Sequence, residues 1–336
     1  MLRASVLIPT HEHAATLPLA VASVQNQRID EIEILIVGDG VDDELRRLVA
    51  ALAARDSRIR FFDLPKGARN GEVNRDIALR EARGHIVCYQ SDDDLWLPGH
   101  LTEMETALQD ADFALGMHVN VDPEGRLRGY MFDIEKKVFK EPWLAWVDNA
   151  FGPWASNGAG LSFAAHRLEA YRRLPVGWSV TPTGLTTDQF MWHKFASQPW
   201  CRLKYLPFPI SLHFPASDRS TWPAPDRARE LEQWSEIIAS PDGMRRIVGG
   251  IMSDLCTRLL EQRDDVVRAR EAAENGMARA ADRVDALSKE SELLAQRLAT
   301  VSSERDALLE SASWRVTAPL RAITQALRRI TGRRGA

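Results

Sequence analysis

Three aspartates stand side by side at 92–94, directly after the apolar run "IVCY". Adjacent carboxylates repel one another, and their pKa values rise unless a cation relieves them. A single aspartate would suffice to start the helix expected in "LWLPGHLTEMETAL", because Asp is a good N-cap and suits a first turn. Three in a row after a buried strand suit a bound divalent ion better. Oxygen donors of this kind favour Mg²⁺ or Mn²⁺, which commonly keep positions open for phosphate oxygens. Asp39 sits between glycines in "GDG" at 38–40. The glycines admit a ligand close to the backbone, and the carboxylate can accept from a base N–H or a ribose hydroxyl. A plain strand-to-helix turn is the other reading. Asp188, in "GLTTDQFMWHKF", starts an amphipathic helix, and on its own residues it reads as a helix cap.

These acids need elements to hold them. "ASVLIP" (4–9), "IEILIV" (32–37), "IRFFDL" (59–64) and "HIVCYQ" (85–90) read as buried strands. Between them "TLPLAVASVQNQ", "DELRRLVAALAARD" and "GEVNRDIALREARG" have helical spacing. Strands alternating with helices of this length predict a parallel sheet, with ligands at the carboxyl ends of the strands. "GDG" and "SDDD" both fall at such ends. From 110 to about 215 the chain is rich in Trp, Pro and Gly, which predicts loops and short strands forming a pocket over the sheet. There is no GxGxxG and no P-loop, which argues against a dinucleotide site and an ATPase.

Composition bounds the rest. The chain has 336 residues and a formal net charge of −4. The segment from Ser311 onward carries six arginines and no acid, so the excess negative charge lies entirely before it. Such a split marks a separate, surface-seeking tail. Three scattered cysteines form neither a disulfide framework nor a zinc spacing, so a reducing compartment is expected. The amino-terminal segment is a strand rather than a signal-peptide core, and no run of about 18 apolar residues offers a membrane span.

The motifs taken together carry a resemblance. "SVLIPTHEHAATLPLAVASVQNQ", "EILIVGDGVDDE" and "NRDIALREARGHIVCYQSDDDLWLPGHL" occur in order, and this stretch resembles the core of family 2 glycosyltransferases. It implies a GT-A fold, a Rossmann-like nucleotide-diphospho-sugar transferase domain, over about residues 1–215. By resemblance Pro9, Thr10 and Glu12 line the nucleotide pocket, Asp39 recognises the base and Arg75 lies near the nucleotide. Asp92, Asp93 and Asp94 stand at the DXD motif, which holds ribose and the metal–diphosphate. Ser91 occupies the first position of the usual Asp-Ser-Asp-Asp. The pair doing the DXD work is expected to be Asp92 and Asp94, with Asp93 the alternative ligand. The family's general base, usually in a Glu-Asp pair, corresponds to Asp188. Thr187 replaces the Glu, a form similar to that of bacterial galactofuranosyltransferases. Related transferases use a histidine near the place of His213 as a further metal ligand. Trp154, Asn157 and Trp178 are candidates for an acceptor pocket, with plain packing as the alternative. His11 and His13 have no motif support.

The carboxyl-terminal third follows a different rule. From Met252 to Leu308, positions stepping alternately by four and three are apolar in thirteen of seventeen cases, and all four polar exceptions fall at a positions. A lone solvated helix would not need that pattern, so a coiled-coil seam is expected, pairing copies of the chain. The tail "SWRVTAPLRAITQALRRITGRRGA" places Val316, Leu320, Ile323, Leu327 and Ile330 on one face among arginines. That is the composition of an interfacial helix, and the tail is similar to those of bacterial surface-polysaccharide enzymes. The organisation expected is a GT-A domain (1–215), a helical linker (216–250), a coiled coil (251–310) and a basic amphipathic membrane-associating tail (311–336).

The reading is an inverting, Mn²⁺- or Mg²⁺-dependent transferase, cytoplasmic and peripheral to the inner face of the membrane. It would move a sugar from a nucleotide-sugar, UDP-linked, to a glycan or lipid-linked glycan of a bacterial surface polysaccharide. An acidic main domain without an aromatic stacking platform argues against nucleic acid. Two rivals are a non-catalytic coiled-coil scaffold carrying a degenerate transferase domain, and a nucleotidyltransferase. The second would want a Gly-rich basic first loop, which "PTHEHAAT" lacks.

Overall fold

The computed structural model of the chain describes residues 2–149 and 159–331, with side chains as far as 325. The four predicted runs form strands β1 (Leu2–Thr10), β2 (Ile32–Asp39), β3 (Ile59–Leu64) and β4 (Gly84–Tyr89). Helices α1 (Leu17–Gln25), α2 (Asp43–Arg55) and α3 (Glu72–Arg80) connect them. β1 pairs in parallel with both β2 and β4, and β2 with β3. The carboxyl ends of β1, β2 and β4 therefore open on one edge of the sheet.

The region after 110 departs from the expectation. It does not only cover the sheet; it extends it. After β5 (Leu95–Trp96) and α4 (His100–Ala107) come β6 (Phe113–Val121) and β7 (Leu127–Tyr130). After α5 (Lys137–Asn149) come β8 (Ala164–Arg167), α6 (Leu168–Arg173), α7 (Thr187–Ala196), β9 (Leu203–Pro209) and β10 (Ser211–Leu212). The sheet runs β3-β2-β1-β4-β8-β6-β7, with β9 pairing β6. β8 lies antiparallel to both β4 and β6, which makes the sheet mixed. β6 escapes a periodicity search because it is buried along almost its whole length and shows no alternation of apolar and polar residues.

Alternate residues of the central strands feed the two faces. Leu7, Leu35, Val37, Val87 and Tyr89 pack against one set of helices, while Val6, Ile8, Ile34, Ile36 and Cys88 pack against the other. That period of two is what a sheet covered on both faces requires. A third cluster joins Leu95, Val119 and Phe214 to Leu231 of α8 (Ala224–Ala239) and to Ile247 and Ile251 of α9 (Pro241–Glu310).

Two compact units divide the chain, residues 1–258 and 259–336. In the second, α9 continues as an unbroken helix to Glu310. Its seam residues are exposed, Val266 at 68% and Leu298 at 75%. The tail is not one continuous helix. α10 (Ala312–Val316) ends at Thr317, and α11 (Ala318–Thr331) begins beside Pro319, whose missing N–H suits a first turn and not an interior. Among the described residues no helix is long and apolar enough to cross a membrane.

Candidate active site

The acidic triplet is not a helix start. Leu95 and Trp96 leave it as a short strand paired with Leu212 and Ser211, and α4 begins only at His100, after Gly99. A turn closed by the Asp94 amide donating to the Ser91 carbonyl (3.3 Å) holds the aspartates together. The buried Gln90 amide donates to the Asp94 carbonyl at 2.6 Å.

Each carboxylate has a separate partner. His13 Nδ1 donates to Asp92 at 2.8 Å. Asp93 accepts from the Ser91 hydroxyl at 2.7 Å and from the Arg227 guanidinium at 2.7 Å. Asp94 accepts from Ser162 (2.5 Å), His213 Nδ1 (2.8 Å) and the Phe214 amide (3.1 Å). Burial and the neighbouring Asp94 and Asp92 charges push the Asp93 carboxyl above its usual range. Burial also works against the Asp94 charge, but His213, Ser162 and the Phe214 amide outweigh it and hold that carboxyl low. For His213 burial opposes the charge, yet the Asp94 carboxylate holds its pKa up at about 9. Donor atoms of His13, Asp92 and Asp93 lie within 4.8 Å of one another, a spacing that could hold a metal ion.

Asp39 ends β2 and is 5% exposed. It accepts from the Gly67 amide (2.6 Å), from Asn74 Nδ2 (2.7 Å) and from Lys66 Nζ. Residues 66–74, a loop running into the first turn of α3, are lashed to it. Gly71 belongs to that loop because its φ is +70° and a Cβ there would stand 2.5 Å from the Asp39 carboxyl carbon.

Asp188 lies in the first turn of α7, but the N-cap is Thr186, which makes no side-chain cap bond. The helix-cap reading is therefore not what the structure shows. Asp188 accepts from Thr187 Oγ1 at 3.0 Å and lies 4.0 Å from Arg75 Nη1. Burial raises its pKa above the usual carboxylate range, although Arg75 pulls the other way. Arg75 is itself buried, and its Nη2 donates to the Asn70 carbonyl at 3.2 Å. Its Nε and Nη1 have no hydrogen-bond partner, and neither do Thr10 Oγ1 and His11 Nδ1. Buried donors without partners are costly and are the atoms a ligand would satisfy.

One cleft of about 300 Å³ collects Pro9, Thr10, His13, Asp39, Arg75, Asp92, Asp94, Asp188 and His213. That volume is enough for a small ligand. Glu12 does not line it; its side chain is 81% exposed and pairs with His11 at 3.4 Å. Asp93 turns away from the cleft wall toward Arg227. Trp178 lies buried beneath Arg75, whose guanidinium carbon is 4.7 Å from the ring centre, and its indole N–H donates to Tyr89 Oη at 3.1 Å. Trp154 and Asn157 lie outside the described residues. Sequence reasoning missed Lys66, Asn74, Ser162 and Arg227, and gave His13 no role. His13 carries a late signal, since it follows the end of β1 by three residues. Arg227 carries none.

The chain is similar to known proteins over part of its length. Residues 5–168 match the family described as Glycosyl transferase family 2. Over 104 residues the chain is 31% identical to the GalNAc(5)-diNAcBac-PP-undecaprenol beta-1,3-glucosyltransferase of Campylobacter jejuni, covering 31% of this chain and 34% of that one. Over 106 residues it is 29% identical to the UDP-Glc:alpha-D-GlcNAc-diphosphoundecaprenol beta-1,3-glucosyltransferase WfgD of Escherichia coli, covering 31% of this chain and 40% of the relative. The chain thus spans well under half the length of either relative. A crystal structure of S. aureus TarS residues 1–349 superposes with a TM-score of 0.49 at 15% identity, over 71% of this chain and 66% of that one. Asp188, His213 and Arg227 lie beyond the matched stretch. The strand-end loops bearing Thr10, His13, Asp39 and Asp92–Asp94 lie inside it, and residues 5–168 are similar to the glycosyl transferase family 2.

Proposed function

We propose that the chain is an inverting, divalent-metal-dependent glycosyltransferase with a GT-A domain. It moves a sugar from a nucleotide-sugar, UDP-linked, to a lipid-linked glycan of a bacterial surface polysaccharide. The observation that carries the reading is the cleft that unites two strand-end carboxylates, Asp92 and Asp94, with Arg75 and Asp188. The unpartnered Arg75 donors fit an anionic diphosphate. The carboxylates suit Mn²⁺ or Mg²⁺, with Asp92 and Asp94 as ligands, His213 as a further one and His13 beside them. When bound, the ion stabilises charge developing on the leaving diphosphate. Asp39 and the loop it fastens would hold the base, with Pro9 and Thr10 along the nucleotide.

Asp188 is the general base. Its raised pKa strengthens it as a proton acceptor near neutral pH, and Thr187 fixes its Oδ1. It takes the acceptor hydroxyl's proton as that oxygen attacks the sugar carbon opposite the diphosphate, which inverts the configuration. The helix α9 pairs with further copies along its apolar seam. The basic tail rests on anionic lipid at the inner face of the membrane, where each arginine would contribute about 1 kcal/mol.

Calorimetry with UDP and Mn²⁺, followed by transfer assays over a panel of nucleotide-sugars, tests the reading. Nucleotide binding that needs Mn²⁺ and is lost in Asp92→Asn and Asp94→Asn is expected. Absence of metal-dependent nucleotide binding would leave the scaffold reading in its place.

A further inference from the structure

The acidic triplet already has a cation of its own, supplied by a helix outside the matched family stretch. Arg227 Nη2 donates to Asp93 at 2.7 Å, and Nη1 lies 3.5 Å from His13 Nε2. The arginine is 15% exposed and Asp93 8%, so water does little to screen the pair. The same His13, Asp92 and Asp93 atoms form the cluster spaced to hold a metal.

Arg227 is not placed by a loose segment. One turn further along α8, Glu230 accepts a two-pronged ion pair from Arg219, whose donors lie 2.5 Å away. Arg219 is 1% exposed and also donates to the Val121 carbonyl of β6 at 3.0 Å. Leu231 completes the anchor in the third core cluster. Residues 227, 230 and 231 share one helix face. The guanidinium is thus held over the triplet by a helix fastened to the sheet.

We propose that Arg227 is a built-in counter-ion that competes with a divalent cation for the acidic triplet and so sets the protein's metal affinity. With Asp93, the alternative ligand of the sequence analysis, taking the place of Asp94, a doubly charged ion at His13, Asp92 and Asp93 would share these carboxylates with a fixed positive charge. It binds fully only as the guanidinium yields Asp93. The freed arginine would then face the anionic part of the donor. This inference rests on the metal-dependent reading above.

The test is Mn²⁺ binding to the nucleotide-free full-length chain, read from the electron paramagnetic resonance signal of free Mn²⁺ at a pH well above the carboxylate range. Arg227→Gln removes the competing charge and should tighten Mn²⁺ binding about tenfold, since an adjacent unit charge commonly shifts such equilibria by a decade or more. Arg227→Lys keeps the charge and should stay close to the unsubstituted chain. Asp93→Asn combined with Arg227→Gln should lose the gain. Equal or weaker Mn²⁺ binding in Arg227→Gln overturns the counter-ion role while leaving the metal reading intact. No Mn²⁺ bound by any of these proteins overturns the metal reading and this inference together.

Discussion

Asp188 and Asp94 show how one fold can shift two carboxylates in opposite directions. Asp94 is surrounded by three donors and its pKa is lowered, while Asp188 is desolvated and its pKa is raised. Carboxylates with environments this different suit different tasks, in the proposed reaction one binding a cation and the other accepting a proton. Replacing Asp188 by Asn should cut the transfer rate about a hundred- to ten-thousand-fold, while donor affinity by calorimetry stays within a few-fold. The pH profile carries the sign. A base must be deprotonated to act, so the unsubstituted rate should be full at high pH. It should fall as pH drops through a value above the ordinary aspartate range. A profile flat down to that ordinary range, or an Asn variant with undiminished rate, would remove Asp188 from the role.

At the scale of elements, the site depends on what the strand-end loops are fastened to. Asp39 accepts three hydrogen bonds from residues 66–74, so its first effect is to shape them around the cleft. Gly71 is where that shape is most sensitive. Gly71→Ala should destabilise the chain by more than about 1 kcal/mol, because the left-handed backbone penalty is joined by a clash with Asp39. Gly99→Ala, with φ +90° and open space at its Cβ, should show the backbone penalty alone. Urea unfolding of the two variants separates them; equal losses would mean the Asp39 contact does not constrain the loop. These elements were not equally legible beforehand. β1 to β4 announce themselves because each is a short apolar run bounded by turn residues, and the acids at their ends follow by position. β6 and β8 are hidden, since strands buried on both faces in a Trp- and Pro-rich stretch carry no period, and β9, which contains two prolines, shows no alternation either. Asp94's partners Ser162 and His213 come from 68 and 119 residues away, distances over which local spacing carries no information. Arg227 meets Asp93 from 134 residues away, and no local pattern marks it.

At the scale of the molecule, the second unit poses a problem of exposed apolar surface. Val266, Met277, Val284, Leu294, Leu298, Val301 and Leu308 are each more than half exposed along one helix, a stripe that a single helix in water has no means to bury. The four-three spacing brings them to one seam, and in a coiled coil arginines at three of its a positions would weaken association while restricting which registers are tolerable. Light scattering coupled to size exclusion should therefore give the full chain a mass that is a multiple of the 37.7 kDa protomer. Leu287→Lys together with Leu294→Lys places like charges at two d positions of a good helix former. The mass should fall to that of one protomer, and the Mn²⁺ affinity of the first unit should be unchanged, because His13 and Asp92–Asp94 lie within residues 1–258. A variant that keeps the mass of the unsubstituted chain would mean that this seam does not join the copies.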